Sequence, residues 1–260
     1  MHGGWNATHG IIAKKIQSEE NSLKTTLVIP TYNEAENLPQ LITALFALPL
    51  KDLHLLVVDD GSPDGTGQIA EDQKSTHPGR INVLHRSGKL GLGSAYIQGF
   101  RLCLEDGSDY IGQMDADFSH SPQKVLEMVR ALPAFDMVLG SRYIPGGGLD
   151  KDWAFWRKGL SVFGNFYART ILGLPIRDVT GGFRLWKRDT LGHLPLERIR
   201  SNGYVFQVEM AYVADRLGYK MKEIPIYFAE RRLGESKMSL QIQLEAAIRV
   251  WQLRGLYRDL

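Results

Sequence analysis

The sequence predicts an α/β protein built on a doubly wound, mostly parallel sheet flanked by helices. Three observations predict it. Short apolar runs recur along the first half of the chain, stretches with helical spacing separate them, and the first two runs end in polar clusters containing Asn-Glu or Asp-Asp-Gly. In such sheets ligands bind beyond the carboxyl ends of the strands, so the residues that follow each run are the candidate site.

Thr26-Leu27-Val28-Ile29-Pro30 and Leu53-His54-Leu55-Leu56-Val57-Val58 read as buried parallel strands, because they are apolar without alternation. Leu38, Leu41, Ile42 and Leu45 between them fall on one helical face. The alternation continues with a helix near Gly67 to Lys74, a strand at Ile81 to Leu84 and a helix from about Gly93 to Leu104. A strand at Tyr110 to Met114, a helix marked by Val125, Met128, Val129 and Leu132, and a strand at Met137 to Leu139 follow. Beyond Tyr143, Pro145-Gly146-Gly147-Gly148 reads as a mobile loop, and Trp156, Leu160, Phe163, Tyr167 and Ile171 mark an aromatic-rich helix. A helix over about Phe206 to Leu217, a strand over Glu223 to Phe228 and a final amphipathic helix over about Leu240 to Leu253 complete the pattern. In that last helix Leu240, Leu244, Ala247, Ile248 and Trp251 share a face that either docks on the core or lies on a membrane surface, the Trp156 to Ile171 helix with Phe155 and Phe166 being the alternative lipid contact. No repeat or low-complexity linker interrupts the chain. The expected organisation is a tail over 1–24, one domain over 25–237 and the helical segment 238–260.

Composition narrows the class. The chain has 260 residues, 43% of them hydrophobic and 23% charged, as an ordinary folded protein does. Its single cysteine, Cys103, rules out a disulfide framework, points to a reducing compartment and reads as a small buried hydrophobe. The N-terminal stretch lacks the apolar core of a secretory signal, and no run reaches the roughly 18 apolar residues of a membrane span, so the expectation is a chain that does not cross a membrane by itself. Cutting after Ser141 leaves 11 basic and 17 acidic residues before it and 20 and 12 after it. That asymmetry fits a second half that meets an anion, or one with a solvated basic surface. The basic residues are dispersed among carboxylates, so a nucleic-acid role is not expected. The 7 histidines show no paired metal-ligand spacing and receive no role.

Four clusters carry chemistry. Pro30-Thr31-Tyr32-Asn33-Glu34 and Asp59-Asp60-Gly61-Ser62-Pro63-Asp64-Gly65 offer carboxylates, hydroxyls and a ring at adjacent strand ends, suited to a base and ribose; they are also ordinary cap and turn residues. Gly88-Lys89-Leu90-Gly91-Leu92-Gly93 leaves open backbone and a lysine before a helix, where a nucleotide can approach. Met114-Asp115-Ala116-Asp117 follows a strand; carboxylates at i and i+2 of an extended segment share a side and can face one Mg²⁺ or Mn²⁺ together with diphosphate oxygens.

Taken in order, these clusters with Gly140-Ser141-Arg142-Tyr143, Asp178-Val179-Thr180-Gly181-Gly182-Phe183-Arg184, Gly203 to Met210 and Gly234-Glu235-Ser236-Lys237 resemble the dolichol or polyprenol phosphate mannosyltransferases. These are inverting enzymes of the GT-A nucleotide-sugar transferase fold. The resemblance runs from Leu27 to Met238. It implies that Pro30, Tyr32 and Glu34 with Asp59 hold the nucleoside, and that Asp60, Lys89 and Ala116 complete the donor surface. It implies that Asp115 and Asp117 hold the metal, that Arg142 and Arg157 receive an acceptor phosphate, and that Arg231, Ser236 and Lys237 on a closing loop reach the donor diphosphate. Some family members carry glutamine two residues after the second aspartate, where this sequence has Ser119.

A phosphate acceptor also suits the residues. A hydroxyl acceptor generally needs a base, whereas a lipid monophosphate is already anionic and needs positioning and charge compensation, which arginine supplies. The implied reaction is mannose transfer from GDP-mannose to a dolichyl or polyprenyl phosphate at the cytosolic face of a membrane, with the chain held peripherally or by an anchoring subunit. Transfer of glucose or another sugar to the same lipid, sugar transfer to a saccharide hydroxyl, and a noncatalytic nucleotide-sugar module are the competing readings.

Overall fold

The structure is a computed structural model that describes residues 23–229 and 240–260. Its centre is a seven-stranded sheet in the order β3-β2-β1-β4-β7-β5-β8. The strands are β1 (Thr25–Thr31), β2 (Leu53–Asp59), β3 (Ile81–His85), β4 (Tyr110–Gln113), β5 (Met137–Ser141), β7 (Arg184–Lys187) and β8 (Met221–Pro225). A second, two-stranded parallel sheet joins β6 (Gly148–Leu149) to β9 (Tyr227–Phe228). Helices α1 (Leu38–Phe46), α2 (Thr66–Thr76), α3 (Leu92–Glu105) and α4 (Gln123–Ala131) connect the first five strands. The later helices are α5 (Phe155–Leu172), α6 (Arg188–His193), α7 (Gly203–Arg216) and α8 (Leu240–Leu256).

Parallel pairing of β3, β2, β1 and β4 brings the ends of β1 and β2 into register, with Thr31 opposite Asp59. Core side chains cover both faces of the sheet. Leu27, Ile29, Leu41, Ile42, Val57 and Met128 fill one layer, and Val28, Val58, Phe100, Trp186, Phe206 and Leu253 the other. Cys103 is 2% exposed in that second layer, and burial pushes its thiol up to about 12. It is an inert packing residue.

Several features depart from the sequence expectation, among them β6, which begins inside the expected loop, and the short α6. β7 was not anticipated; it runs antiparallel between β4 and β5, with Arg184 opposite Gln113 and Leu139. Its first residue is a wholly buried arginine, which breaks the apolar signal of a central strand. The backbone carbonyls of Gly181 and Val179 accept from Arg184 at 3.0 Å each, and burial pulls its guanidinium down to about 9. The strand expected over Glu223 to Phe228 is divided. β8 pairs with β5, and after Ile226 the chain passes to the small sheet. Ile226 N–H donates to Ser141 and its carbonyl accepts from Gly148, which fixes the crossing point.

The helical faces also differ. In α5, Trp156 and Phe163 are 68% and 63% exposed, whereas Asn165, Ala168 and Leu172 face inward. In α8, Ile248 and Trp251 are exposed, and the docked residues are Val250 and Leu253, with Tyr257 just beyond the helix. Apolar residues on more than one face of each helix make the spacing ambiguous from sequence. The side chains of Leu240 and Leu244 lie outside the described residues. No helix among the described residues is long and apolar enough to cross a membrane.

Candidate active site

Three strand ends form the first part of the site. Asp59, at the end of β2, is 3% exposed and accepts from Thr31 Oγ1 at 3.0 Å and from Ser62 N–H at 3.1 Å. It braces the loop after β2. Arg86, immediately after β3, donates its backbone N–H to the Asp59 carbonyl at 2.8 Å and pairs through Nη1 with Asp60. The same guanidinium reaches Ser94 Oγ and, at 3.4 Å, the Gly91 carbonyl. It thereby ties Asp60 to the glycine-rich turn and the start of α3. Burial holds the Asp60 carboxyl above its ordinary range against the opposing pull of Arg86.

That turn approaches closely because it lacks side chains. A Cβ on Gly93 would lie 2.5 Å from the Ser201 carbonyl oxygen, and one on Gly91, at φ +98°, would lie 2.9 Å from Asn202 Oδ1. Lys89 Nζ sits 4.4 Å from the centre of the Tyr32 ring, which brings together two residues expected at the nucleotide. Glu34 accepts from Asn37 Nδ2 at 2.9 Å, and its own N–H donates to Thr66 Oγ1. Asp64 accepts from Ala35 N–H and Thr66. Burial alone would raise the Asp64 carboxyl, but these hydrogen bonds leave it below its ordinary value.

The second part follows β4. Asp115 is half-buried and Asp117 is 5% exposed, on a turn that places Phe118 at φ +60°. Asp115 N–H donates to His120 Nδ1 at 3.2 Å, and Asp117 Oδ1 accepts from Ser119 N–H at 3.0 Å. The imidazole is 1% exposed, and burial lowers its pKa despite the two nearby aspartates, so His120 is a neutral support for the motif. Ser119 Oγ is buried without a hydrogen-bond partner. Two carboxylates beside an unsatisfied hydroxyl suit a hard divalent cation that takes oxygen ligands. Among the described residues no group of three or more His, Cys, Asp or Glu is placed to hold a metal. The Asp115/Asp117 pair would therefore leave coordination positions to substrate oxygens and water.

The third part gathers the arginines. Arg142, next after β5, donates through Nε and Nη2 to the two carboxylate oxygens of Asp178 and through Nη2 to Thr180, each at 2.7 Å. Asp178 is wholly buried; burial would raise its carboxyl, but the charge and hydrogen bonds of Arg142 hold it below the ordinary value. Nη1 makes no hydrogen bond among the described residues. The guanidinium lies 5.4 Å from the centre of the Phe228 ring, which the sheet crossing after Ile226 brings here. Phe228 also packs edge-on against Trp153 and His120. Trp153 in turn lies under Arg157, at 4.6 Å. One ring therefore links both expected phosphate-binding arginines to the turn that carries Asp115 and Asp117. Arg231, Ser236 and Lys237 lie outside the described residues.

Sequence reasoning gave no role to Arg86, His120, Asp178 or Phe228. Arg86 was open to the strand-end rule, since it follows β3 directly. Asp178 stood in a quoted motif with no function attached. Phe228 depends on a change of sheet that no local pattern encodes.

Comparison with known proteins agrees with this architecture. Residues 26–194 match the family described as Glycosyl transferase family 2. The chain is 43% identical over 236 residues to polyprenol monophosphomannose synthase of Mycolicibacterium smegmatis, covering 89% of this chain and 88% of the relative. It is 45% identical over 241 residues to undecaprenyl-phosphate mannosyltransferase of Micrococcus luteus, covering 92% and 98%. Among solved structures it is similar to glucosyl-3-phosphoglycerate synthase of Mycobacterium tuberculosis in complex with Mn²⁺, UDP and glucosyl-3-phosphoglycerate. There the TM-score is 0.62 at 18% identity, over 92% of this chain and 81% of the other. The same enzyme in complex with Mg²⁺ and UDP matches with a TM-score of 0.62. At that identity the likeness speaks for the GT-A fold alone.

Proposed function

The chain belongs to glycosyl transferase family 2 and, within it, to the polyprenyl phosphate mannosyltransferases, and from that membership we propose that it transfers mannose from GDP-mannose to a dolichyl or polyprenyl monophosphate, with inversion. The observation that carries the reading is the Phe228 cluster, in which Arg142 and, through Trp153, Arg157 stand beside the Asp115/Asp117 turn. Arginines poised at a carboxylate-bearing strand end suit an anionic nucleophile that meets a nucleotide sugar.

In this reading Pro30, Tyr32, Glu34, Asp59, Asp60 and Lys89 form the nucleoside side of the site. Asp115 and Asp117 would hold Mg²⁺ or Mn²⁺, which when bound supplies positive charge against the diphosphate oxygens. Asp178 fixes the plane of Arg142, so that its remaining Nη1 donors are oriented before the acceptor phosphate arrives. Arg157 adds a second cation, and no base is required because the phosphate is already deprotonated. The phosphate oxygen attacks the anomeric carbon opposite the departing GDP, so an α-linked donor gives a β-linked lipid phosphomannose. Arg231, Ser236 and Lys237 are assigned to the donor diphosphate. The lipid acceptor places the enzyme peripherally on the cytosolic face of a membrane, held by its own surface or by a membrane-anchoring subunit. The domain division proposed is a catalytic unit over 25–237 followed by the helical segment 238–260.

The test is a panel of nucleotide sugars incubated with a short polyprenyl phosphate and Mg²⁺ or Mn²⁺, with lipid-linked sugar and its anomeric configuration as readouts. β-linked mannosyl phosphate from GDP-mannose alone is expected. Transfer only to a saccharide would remove the acceptor assignment, and preference for another nucleotide sugar would remove the donor assignment.

A further inference from the structure

We propose that a cleft on α5, beside the Arg142 end of the site above and sharing with it only the Tyr143 ring, binds the phosphate of an anionic membrane phospholipid. The cleft holds about 270 Å³ and is lined by Tyr143, Val162, Asn165, Phe166, Arg169 and Arg177. Its polar groups are not equally available. Asn165 gives its carbonyl to Val179 N–H and its amide to the Arg177 carbonyl, and the Tyr143 hydroxyl is bound to Ser161. The cations remain. Arg169 is anchored by Nε to the Leu174 carbonyl at 3.3 Å, which leaves both Nη groups without a hydrogen bond among the described residues. The Arg177 guanidinium has no hydrogen bond or ion pair among them either. The nearby carboxylate of Glu223 is taken by the backbone N–H groups of Arg177 and Asp178, each at 2.9 Å.

The surroundings specify a lipid headgroup. Phe155, Val162, Phe163 and Phe166 form an exposed stripe along α5, with Phe155 91% and Phe166 61% exposed. Lys158 and Arg169 lie along its edge at helical spacing, and the 18 residues of α5 include three cations and no carboxylate. An apolar stripe bordered by cations is the chemistry of a helix lying in an anionic bilayer surface. The cleft opens beside that stripe, where a lipid phosphate would sit once the rings enter the acyl boundary. This site carries no reacting group and stands independently of the transferase assignment.

The experiment is flotation of the full chain with phosphatidylcholine vesicles, with and without phosphatidylglycerol. It compares wild type, the Arg169→Gln/Arg177→Gln pair, and an Arg101→Gln/Arg130→Gln pair that removes equal charge from exposed positions elsewhere. The first pair is expected to lose phosphatidylglycerol-dependent affinity by roughly 5-fold per arginine, about 25-fold together, and the second pair much less. Equal partitioning of the first pair and wild type, or equal losses in the two pairs, overturns the proposal. Titration with inorganic phosphate separates the sources: binding that needs Arg169 and Arg177 without any change in flotation makes the ligand a soluble phosphate and rejects the lipid. Circular dichroism checks that the variants fold, and their turnover of a soluble short-chain polyprenyl phosphate is expected to equal wild type. Wild-type inactivity with arginine-dependent flotation intact would remove the transferase reading alone.

Discussion

Arg142 and Asp178 meet in a two-pronged ion pair, Nε to Oδ2 and Nη2 to Oδ1, both at 2.7 Å and both out of water. Asp178→Asn keeps the shape but leaves the guanidinium buried without its counter-charge, and such losses cost about 3–5 kcal/mol. The pH dependence has a definite sign. The folded-state pKa of Asp178 lies below its ordinary value of 3.8, so its stabilisation is present above that value and is lost as pH falls through the lowered one. Urea unfolding of wild type and Asp178→Asn should differ most near neutrality and converge in strong acid. A constant difference across that range would show that the pair is not the source.

Gly93 and Gly88 provide a matched pair of substitutions in one turn. A Cβ at Gly93 meets the Ser201 carbonyl oxygen at 2.5 Å and Phe206 at 3.0 Å, and a backbone oxygen cannot step aside without moving α7 or its approach. At Gly88 a Cβ meets nothing within 4 Å. Gly93→Ala is expected to destabilise by about 1–3 kcal/mol, as overpacked cores do, and to raise the KM for the nucleotide sugar. Gly88→Ala should leave both unchanged. Thermal melts and donor kinetics on the two variants decide it.

Arg86→Gln examines the residue that joins the ends of β2 and β3 to the glycine-rich turn. The substitution leaves Asp60 buried beside a neutral partner, so its carboxyl, already above the ordinary range, rises further. A loss of about 3 kcal/mol is expected from the broken pair. Because Arg86 also holds the Gly91 carbonyl and Ser94, the donor KM should rise while the acceptor KM stays near wild type. A rise confined to the acceptor would place Arg86 in the wrong half of the site.

The legible parts of this protein are those that local chemistry encodes. Leu27 to Pro30 and Leu53 to Val58 announce buried strands because both faces of those strands are covered, and the polar residues that follow them end up at one edge of the sheet. Arg184 hides β7 because its Nε and Nη2 are turned to the Gly181 and Val179 carbonyls, partners that exist only once the chain has turned. Phe228 is hidden for a related reason: its place above Arg142 follows from Ile226 crossing between β5 and β6. In α8, Ile248 and Val250 are equally apolar, and only the positions of α5 and α7 decide that Val250 turns inward.

Tyr257→Phe measures how firmly the end of the chain is fastened to the catalytic unit. The Tyr257 hydroxyl is wholly buried and donates to Glu209 Oε1 at 2.8 Å, while Glu209 Oε2 accepts from Ser201 N–H at 2.8 Å. Burial and the adjacent Glu209 carboxylate hold the phenol far above its ordinary pKa, so it remains a neutral donor throughout the working range. Removing one oxygen leaves the ring in place and deprives a buried carboxylate of a donor, at a cost of about 1–3 kcal/mol. Ser201 and Asn202 press on Gly93 and Gly91, so the same hydroxyl that secures the C-terminal segment also steadies the wall behind the glycine-rich turn. Denaturant titration should show a lower midpoint with an unchanged slope, since neither the folded nor the unfolded chain changes its exposed area appreciably. An unchanged midpoint would mean that Glu209 is satisfied by Ser201 and Arg200 alone, and that the segment is held by Val250 and Leu253 rather than by this hydrogen bond.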